Sequence, residues 1–146
     1  MIEIREYRPE DYMIIQRRYF DSLTFMNFSN PKAIAINLTK GIAYTLTNGT
    51  PIACGGVMPL WEGVGEGWVV TSELVERYPL TFAKTVWRKM KEIIDEMDLV
   101  RVQTLVDAEH TVSMKWVERM GFENEGLMRK YLGGRDFYRY ALLREK

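Results

Sequence analysis

The sequence predicts an α/β fold in which a mixed β-sheet is flanked by helices. Three observations support this prediction. Short runs of β-branched and aromatic residues alternate with segments whose apolar residues recur at helical spacing. The middle of the chain, from Val64 to Val106, reads strand, helix, strand, which is the length of a βαβ unit. The 146 residues suit one domain with a sizeable core, so we treat residues 1–146 as a single domain.

Composition narrows the class of protein. Apolar residues make up 47% and charged residues 27%, which is typical of a globular chain, and 20 basic residues balance 20 acidic ones. Charge therefore gives no support to a nucleic-acid partner. No apolar run approaches a membrane span and the N-terminus lacks a signal-peptide pattern, so we expect a cytoplasmic protein. With only Cys54 and one histidine, we expect no internal disulfide and no metal site, and Cys54 itself should be a small core residue.

The first part of the chain predicts one strand and two helices. Residues 2–7 alternate apolar and charged side chains, which favours a half-buried strand. Residues 9–19 open with proline and two acids and predict a helix, whereas residues 21–30 are aromatic-rich and read as irregular. Asn30 and Pro31 are a typical N-cap and first position, and they predict a second helix that ends near residue 38. The apolar stripe of the first helix comprises Tyr12, Ile15 and Tyr19.

The next segment predicts a β-hairpin. Ile42–Thr47 and residues 51–59 are strand-like, and Asn48-Gly49 between them is a strong hairpin signal because both residues tolerate positive φ. Gly55-Gly56 in the second strand indicates a bulge or a close approach of two backbones. Trp61 to Gly67 contains three glycines and predicts the turn that follows.

The βαβ unit comes next. Gly67–Thr71 and Leu99–Val106 predict two strands, and the helix between them begins near Pro79, whose missing N–H costs nothing in a first turn. The two strands should be parallel and joined by a right-handed crossover. The loop that enters the helix should present free N–H groups and a positive dipole end, which is a natural anion site. The apolar face of the helix comprises Phe82, Val86, Met90, Ile93, Ile94 and Met97.

The last third predicts a helix over residues 111–120, ended by Gly121, and then a hairpin. The hairpin strands are residues 123–132 and 136–143, and they turn about Gly133-Gly134. The complete element order is β-α-α-β-β-β-α-β-α-β-β. The inner face of the last helix should comprise Val112, Trp116, Val117 and Met120.

One motif in this part carries a family resemblance. His110-x-x-Ser-x-x-Trp-Val-x-x-x-Gly121-Phe122, followed by Gly126, Arg129 and a final strand, resembles the GNAT superfamily of acyl-CoA N-acyltransferases. Members of that superfamily typically read Asn-x-x-Ala-x-x-Leu-Tyr-x-x-x-Gly-Phe there. The likeness extends over most of the chain, and the segment Trp68-x-Val-Thr-Ser also resembles small phage-encoded members.

The resemblance implies an acetyl-CoA-dependent N-acetyltransferase that passes the acetyl group directly to an amine. The acceptor, a small molecule or a protein, stays unidentified, and the oligomeric state stays open with a homodimer as one option. In the family, the strand that ends near Val70 diverges from its neighbour, and the pantetheine arm of coenzyme A pairs with its backbone. The residues that the resemblance assigns to the cofactor are Val69, Val70, Thr71, Arg77, Tyr78, Leu80, Thr81, Phe82 and Ala83.

The phosphate end departs from the family pattern. The family loop Gln/Arg-x-x-Gly-x-Gly/Ala falls on residues 78–83, where Ala83 fits. Tyr78 replaces the Gln or Arg, although Arg77 is adjacent, and Thr81 replaces a glycine that normally lets a phosphate approach the backbone. We therefore expect a degenerate pyrophosphate loop with weakened cofactor affinity.

Candidate catalytic residues follow from the same comparison. Glu66 is the best general-base candidate, with a solvated turn glutamate as the alternative and Glu73 as a weaker rival. His110 is the only side chain whose ordinary pKa lies near neutrality, and it reads either as a base or pantetheine contact or as an exposed residue at a helix start. Tyr131 and Tyr140 read either as proton donors from the last hairpin or as packing residues.

A second reading comes from a different class of protein. The family tyrosine that acts as general acid falls on Val117, and the family asparagine falls on His110. Together with the altered loop, these departures allow a catalytically degenerate GNAT-fold protein that serves as a binding or structural module, for example in phage development. A cofactor-binding sensor without turnover is a third alternative.

Overall fold

The computed structural model describes residues 2–144, whose strands form one seven-stranded sheet. None of the helices in this part of the chain is long and apolar enough to cross a membrane. The elements are, in chain order, β1 (Glu3–Glu6), α1 (Pro9–Ile14), α2 (Tyr19–Met26), α3 (Pro31–Asn37), β2 (Ile42–Thr47), β3 (Pro51–Trp61), β4 (Val64–Thr71), α4 (Pro79–Glu96), β5 (Arg101–Asp107), α5 (Thr111–Arg119), β6 (Glu123–Leu132) and β7 (Arg135–Leu143).

The sheet is mixed, as the sequence predicts. Its strand order is β1-β2-β3-β4-β5-β7-β6, and every neighbouring pair is antiparallel except β4 and β5. The parallel pair is the βαβ unit around α4. It is short, since it runs only from Val64 opposite Arg101 to Glu66 opposite Gln103. Beyond these residues the two strands diverge, and the divergence positions the candidate site.

Two clusters of buried residues cover the opposite faces of the sheet. The first lies under α4 and α5, whose apolar stripes face the sheet as the 3.6-residue spacing predicts. The second lies under α1 and α3. The buried members of the first are Val57, Met90, Ile93, Ile94, Leu99, Val102, Val106, Val117, Phe122 and Tyr140, and those of the second are Tyr7, Tyr12, Ile15, Ala35, Leu38, Cys54 and Val70.

The predicted hairpin and its close backbone approach are present. β2 and β3 pair in antiparallel fashion, and Gly49 in the turn has a φ of 107°. A Cβ on Gly56 would lie 2.2 Å from the carbonyl oxygen of Ile42, and a Cβ on Gly55 would lie 2.7 Å from that of Trp68. The glycines therefore allow neighbouring strands to approach closely, while the register shifts of β3 lie nearer its ends.

The first helices differ from the prediction. Residues 9–18 form α1 and an extended break, and α2 begins at Tyr19 and occupies most of the segment read as irregular, so three α-helices precede β2 instead of two. The break arises because Arg17 forms a β-bridge with Ser72, which no local pattern reveals. The second predicted helix, opened by Asn30 and Pro31, is confirmed as α3, and the side chain of Asn30 accepts a hydrogen bond from Ala33 N–H as an N-cap at 3.2 Å.

The start of β4 and the buried face of α5 also differ from the prediction. β4 begins at Val64, so the glycine-rich stretch Trp61–Gly67 is mostly strand, and the reversal takes place at Gly63, whose φ is 80°. Val112 is 68% exposed and does not belong to the inner face of α5, which turns toward the sheet through Val117. Trp116 is only half-buried, at the edge of the cluster under α4 and α5.

Candidate functional site

The divergence of β4 from β5 opens a cavity of about 780 Å³. Thr104 Oγ1 donates a hydrogen bond of 2.9 Å to the carbonyl oxygen of Gly67, just beyond the last paired residues. Past that point the cavity passes between the strands, with α2 on one side and α4 and α5 on the other. Its walls are mainly apolar and a few polar groups converge on it, which is the usual character of a small-molecule site.

Alternation along β4 decides which backbone groups face this gap. Ser72 N–H donates to the carbonyl oxygen of Ile52 at 3.0 Å, so Ser72 and Val70 direct their backbone groups toward β3. Val69 and Thr71 direct theirs to the opposite edge. Of the three strand residues expected to hold a cofactor, Val70 therefore offers no backbone group to the gap.

The end of this edge is occupied by the chain itself. Arg18 N–H donates to the carbonyl oxygen of Thr71 at 3.1 Å, and Thr71 N–H donates to Oδ2 of Asp21 at 2.9 Å. These contacts accompany the bridge between Arg17 and Ser72 at the start of α2. Val69 is left as the residue that faces the gap without a paired residue of β5 opposite it.

Asp21 was not predicted as a site residue. It is half-buried, lines the cavity, and accepts a second hydrogen bond on Oδ2 from Thr71 Oγ1 at 2.9 Å. Burial raises the pKa of this carboxyl group, although the two hydrogen bonds from Thr71 oppose the shift. A carboxylate that resists ionisation and lies in a cavity is a candidate functional group.

His110 lies directly before α5 and faces Asp21 across the mouth of the cavity. Its ring stacks on that of Phe20, with 4.2 Å between centroids and an angle of 12° between planes. Its Nε2 lies 3.1 Å from Ser113 Oγ, and the tautomer decides which of the two atoms donates. Burial lowers the pKa of the imidazole, so it is mainly neutral at pH 7 and able to accept a proton.

Glu66 is engaged by neighbouring side chains. Its two carboxylate oxygens accept hydrogen bonds from Arg139 Nη1 at 2.9 and 3.0 Å, and Oε1 also accepts one from Gln103 Nε2 at 3.1 Å. The side chain is 25% exposed and lines the cavity. It therefore sits on β4 in an ion pair that the sequence did not indicate, because Arg139 is 73 residues away.

The two tyrosines of the last hairpin occupy different environments. Tyr131 is 46% exposed, lines the cavity and lies 5.7 Å from the ring of Phe137. Tyr140 is fully buried, and its hydroxyl donates to Glu118 at 2.7 Å. Burial, followed by the bond to Glu118, raises the pKa of Tyr140 to about 12. Tyr140 is thus a core residue, and Tyr131 is the tyrosine of this hairpin that reaches the cavity.

The start of α4 offers part of an anion site. Its N-cap, Tyr78, provides no side-chain hydrogen bond, so the N–H groups of Leu80 and Thr81 are left for other partners. Both of these residues are exposed, as are Arg77 and Lys84. A 3₁₀ turn over Glu73–Arg77 precedes the helix, and its two glutamates oppose an anion there.

The remaining predicted loop residues are packing residues. Tyr78 packs at the edge of a small core cluster near β3, and Ala83 is half-buried. Phe82 stacks on Trp116 with 5.5 Å between ring centroids, which joins the first turns of α4 to α5. Both of these aromatic rings line the cavity on the α4 and α5 face.

The architecture defines the class: this chain has the fold of the GNAT acetyltransferases, as its C-terminal motif indicates. The ribosomal-protein-S18-alanine N-acetyltransferase of Escherichia coli superposes with a TM-score of 0.73 at 20% identity, over 100% of this chain and 96% of that one. A GNAT-family acetyltransferase of Bacillus anthracis gives 0.71 at 18% identity, over 99% and 96%. The ribosomal-protein-S5-alanine acetyltransferase of Vibrio fischeri gives 0.73 at 13% identity, over 99% and 94%.

At these identities the likeness establishes the fold, and it confirms the predicted mixed sheet flanked by helices. No protein-family profile matches the sequence, and no curated protein sequence is significantly similar to it.

Proposed function

We propose that this protein is an N-acyltransferase that takes an acetyl group from acetyl-CoA and passes it directly to an amine. The observation that carries the proposal is the open backbone of Val69 beside a cavity that passes between two diverging strands. An extended ligand with amide groups can add to such an edge as a further strand would. A backbone N–H at this point can also polarise a thioester carbonyl.

The residues present fit coenzyme A, and they fit its pantetheine end better than its phosphate end. Val69 would pair with the arm, and the N–H groups of Leu80 and Thr81 would receive phosphate oxygens, helped by the charge of Arg77. When bound, acetyl-CoA would supply the activated acyl group. The Cβ of Thr81 and the acids of the preceding 3₁₀ turn weaken this end, and the contacts of Thr71 with Arg18 and Asp21 shorten the free edge.

The chain must also remove a proton from the attacking amine. Glu66 and His110 are the candidate bases within the cavity, and Tyr131 is the candidate proton donor to the departing thiolate. His110 is suited to this role because burial lowers the pKa of its imidazole, which is therefore mainly neutral at pH 7 and able to accept a proton. Glu66 Oε2 accepts only one hydrogen bond, from Arg139, so a lone pair remains on it for a proton from the amine or from a bridging water, although the positive charge of Arg139 makes the carboxylate a weaker base.

Replacing Glu66 tests the base assignment. Glu66→Gln keeps the shape of the side chain and should reduce turnover about 10²-fold or more, the usual scale of a general base, while acetyl-CoA affinity barely changes. Glu62→Gln, at an exposed glutamate in the turn between β3 and β4 and outside the cavity, is the matched control and should leave turnover unchanged. An unchanged rate in Glu66→Gln below neutral pH would remove Glu66 from the mechanism and leave His110.

Titration calorimetry with acetyl-CoA tests the cofactor. Thr81→Gly should bind acetyl-CoA as well as or better than the wild type, apart from a loss of helix stability of about 1 kcal/mol. Added salt should weaken binding, since the exposed charges of Arg77 and Lys84 are screened. If neither protein binds at millimolar acetyl-CoA, the enzyme proposal fails.

A second candidate function would then apply, namely a GNAT-fold module that binds a partner without catalysis. The observation that favours it is the occupied end of the β4 edge, where Arg18 and Asp21 satisfy both backbone groups of Thr71. In that case the chain would bind neither acetyl-CoA nor coenzyme A, yet would keep its fold.

A further inference from the structure

The charges inside the cavity are unevenly balanced. Three carboxylates line it, and two of them are paired with arginines: Glu66 with Arg139 at 2.9 Å and Asp107 with Arg135 at 2.6 Å. The third, Asp21, forms no ion pair with any side chain of residues 2–144. Arg18 and His110 lie near enough to Asp21 to lower its pKa, but neither forms an ion pair with it among the described residues. A half-buried carboxylate without a bonded cation is costly, and a cationic ligand would compensate it.

Asp21 has an oxygen to spare for such a ligand. Both of its hydrogen bonds, from Thr71 N–H and from Thr71 Oγ1, end on Oδ2. No hydrogen bond from the described part of the chain ends on Oδ1. A primary ammonium could donate to Oδ1 without disturbing the contact that fixes α2 to the end of β4.

The wall on the same side of the sheet is aromatic. Phe20, which precedes Asp21, stacks on His110, and Tyr12 lies 5.8 Å from Phe25 and 6.4 Å from Trp68 between ring centroids. Flat rings of this kind accommodate a flat apolar body and also favour a nearby cation. The aromatic members of the cavity wall on this side are Tyr12, Phe20, Phe25, Phe28 and Trp68.

Two polar features of this wall narrow the ligand further. The Nε1 atom of Trp68 is buried and has no hydrogen-bond partner among the described residues. Trp68 lines the cavity, so a ligand oxygen would satisfy this atom once the ring turns enough to expose it. Arg17 lies over Phe25 at 3.8 Å and over Tyr12 at 4.6 Å, and it donates to the carbonyl oxygens of Tyr12 and Ile15. Arg17 thus covers one face of each of these two rings and repels an ammonium that lies along them, which disfavours a polyamine that extends a second ammonium over this wall.

From these contacts we infer that the amine acceptor is a primary monoamine on a flat, apolar body that carries a hydrogen-bond acceptor. Its ammonium binds Oδ1 of Asp21, its ring packs against the aromatic wall, and its oxygen accepts from Trp68 Nε1. That this amine accepts an acetyl group rests on the proposed acyltransferase function. Binding of the amine at this site does not require a cofactor.

The test is a set of calorimetric titrations without any coenzyme A. Tyramine is the probe, and tyrosol, which has a hydroxyl in place of the ammonium on the same body, is its neutral partner. We expect wild-type protein to bind tyramine at least 10-fold more tightly than tyrosol, the scale of one charge-assisted hydrogen bond. Spermidine should bind more weakly than tyramine because of Arg17.

Single substitutions test the ammonium contact with Asp21 and the oxygen contact with Trp68 separately. Asp21→Asn should abolish the preference for tyramine over tyrosol, and Glu62→Gln, which replaces an exposed carboxylate outside the cavity, should retain it. Trp68→Phe should abolish any preference for tyramine over phenethylamine, which lacks the ring hydroxyl. The melting temperature of each variant shows whether it is folded, and the wild-type comparison of tyramine with tyrosol needs no variant.

The outcomes separate this inference from the proposed function. Equal binding of tyramine and tyrosol by wild type, or a preference that survives in folded Asp21→Asn, overturns the site. Tyramine binding that depends on Asp21 without acetyl transfer supports the site and counts against the acyltransferase. Transfer to some other amine, with no tyramine preference, supports the acyltransferase and overturns the site.

Discussion

Helices α1 and α2 carry an aspartate at the same position, and the two carboxylates meet different surroundings. Asp11 and Asp21 are each the third residue of their helix. Asp11 accepts two hydrogen bonds from Arg5, at 2.7 and 2.8 Å, one from Thr45 Oγ1 at 2.6 Å, and one from Arg8 N–H at 2.9 Å. Asp21 accepts only from Thr71, and no cation is bound to it in residues 2–144.

The difference begins at the N-caps. In α1 the backbone N–H of the N-cap, Arg8, is bound by the aspartate of its own helix. In α2 the N–H of the N-cap, Arg18, is bound by Thr71, so Asp21 is released from capping and reaches across to β4 instead. Both oxygens of Asp11 thus accept structural hydrogen bonds, whereas Oδ1 of Asp21 can still accept one from a ligand.

The largest expected effect is on stability. Asp11→Asn should lower the free energy of unfolding at pH 7 by about 3 kcal/mol, because it breaks a largely buried ion pair and strands the charge of Arg5. Asp21→Asn should change it by less than about 1 kcal/mol, since Asn can keep an oxygen on Thr71 and no cation loses its partner. Urea denaturation measures both, and equal losses would erase the distinction between the two aspartates.

The threonines that serve these aspartates allow a finer comparison. Thr45→Val removes a buried hydrogen bond to an ionised group and should cost about 1.5–3 kcal/mol. Thr71→Val should cost about 1 kcal/mol, because the backbone N–H of the same residue continues to hold Asp21. A larger loss in Thr71→Val than in Thr45→Val would mean that the α2 contact, not the α1 contact, is the structural one.

The smallest expected effect is on how the free energy of unfolding depends on pH, and here the two aspartates should act in opposite directions. Burial works to raise the pKa of Asp11, but the bonds from Arg5, Thr45 and Arg8 outweigh it, so that pKa lies below its ordinary value near 3.8. The stability that Asp11 contributes is therefore present above that value and is lost as the pH falls through the lower, folded pKa.

The effect of Asp21 on folding stability changes with pH in the opposite direction. Burial raises its pKa, so ionisation costs the folded state stability above that raised pKa, and the cost disappears as the pH falls toward the ordinary value. Unfolding free energies of wild type minus each Asn variant, measured from pH 7 down to pH 3, should fall for Asp11 and rise for Asp21. Parallel curves would show that the two carboxylates share one environment.

The sequence by itself determined the parts of this protein whose causes are local. The apolar stripe of α4, the turn at Asn48-Gly49, the cap at Asn30 and the motif from His110 to Phe122 each depend on residues a few positions apart. Hydrophobic spacing and turn chemistry act over that range, so they predicted a mixed sheet with helices and most of the elements along the chain, while the family resemblance of the C-terminal motif predicted the fold. Glu66 and His110, which were candidates from the resemblance and from the pKa of histidine, both line the cavity of the structure.

Only the tertiary structure decided which of these groups are free to act. Glu66 is engaged by an arginine 73 residues away, and the strand edge at Thr71 is covered by a segment 50 residues earlier. Asp11 and Asp21 look alike locally, but Thr45 and Arg5 reach only the first. Pairing and burial set the cost of each charge, and both depend on contacts between distant segments that no local pattern encodes.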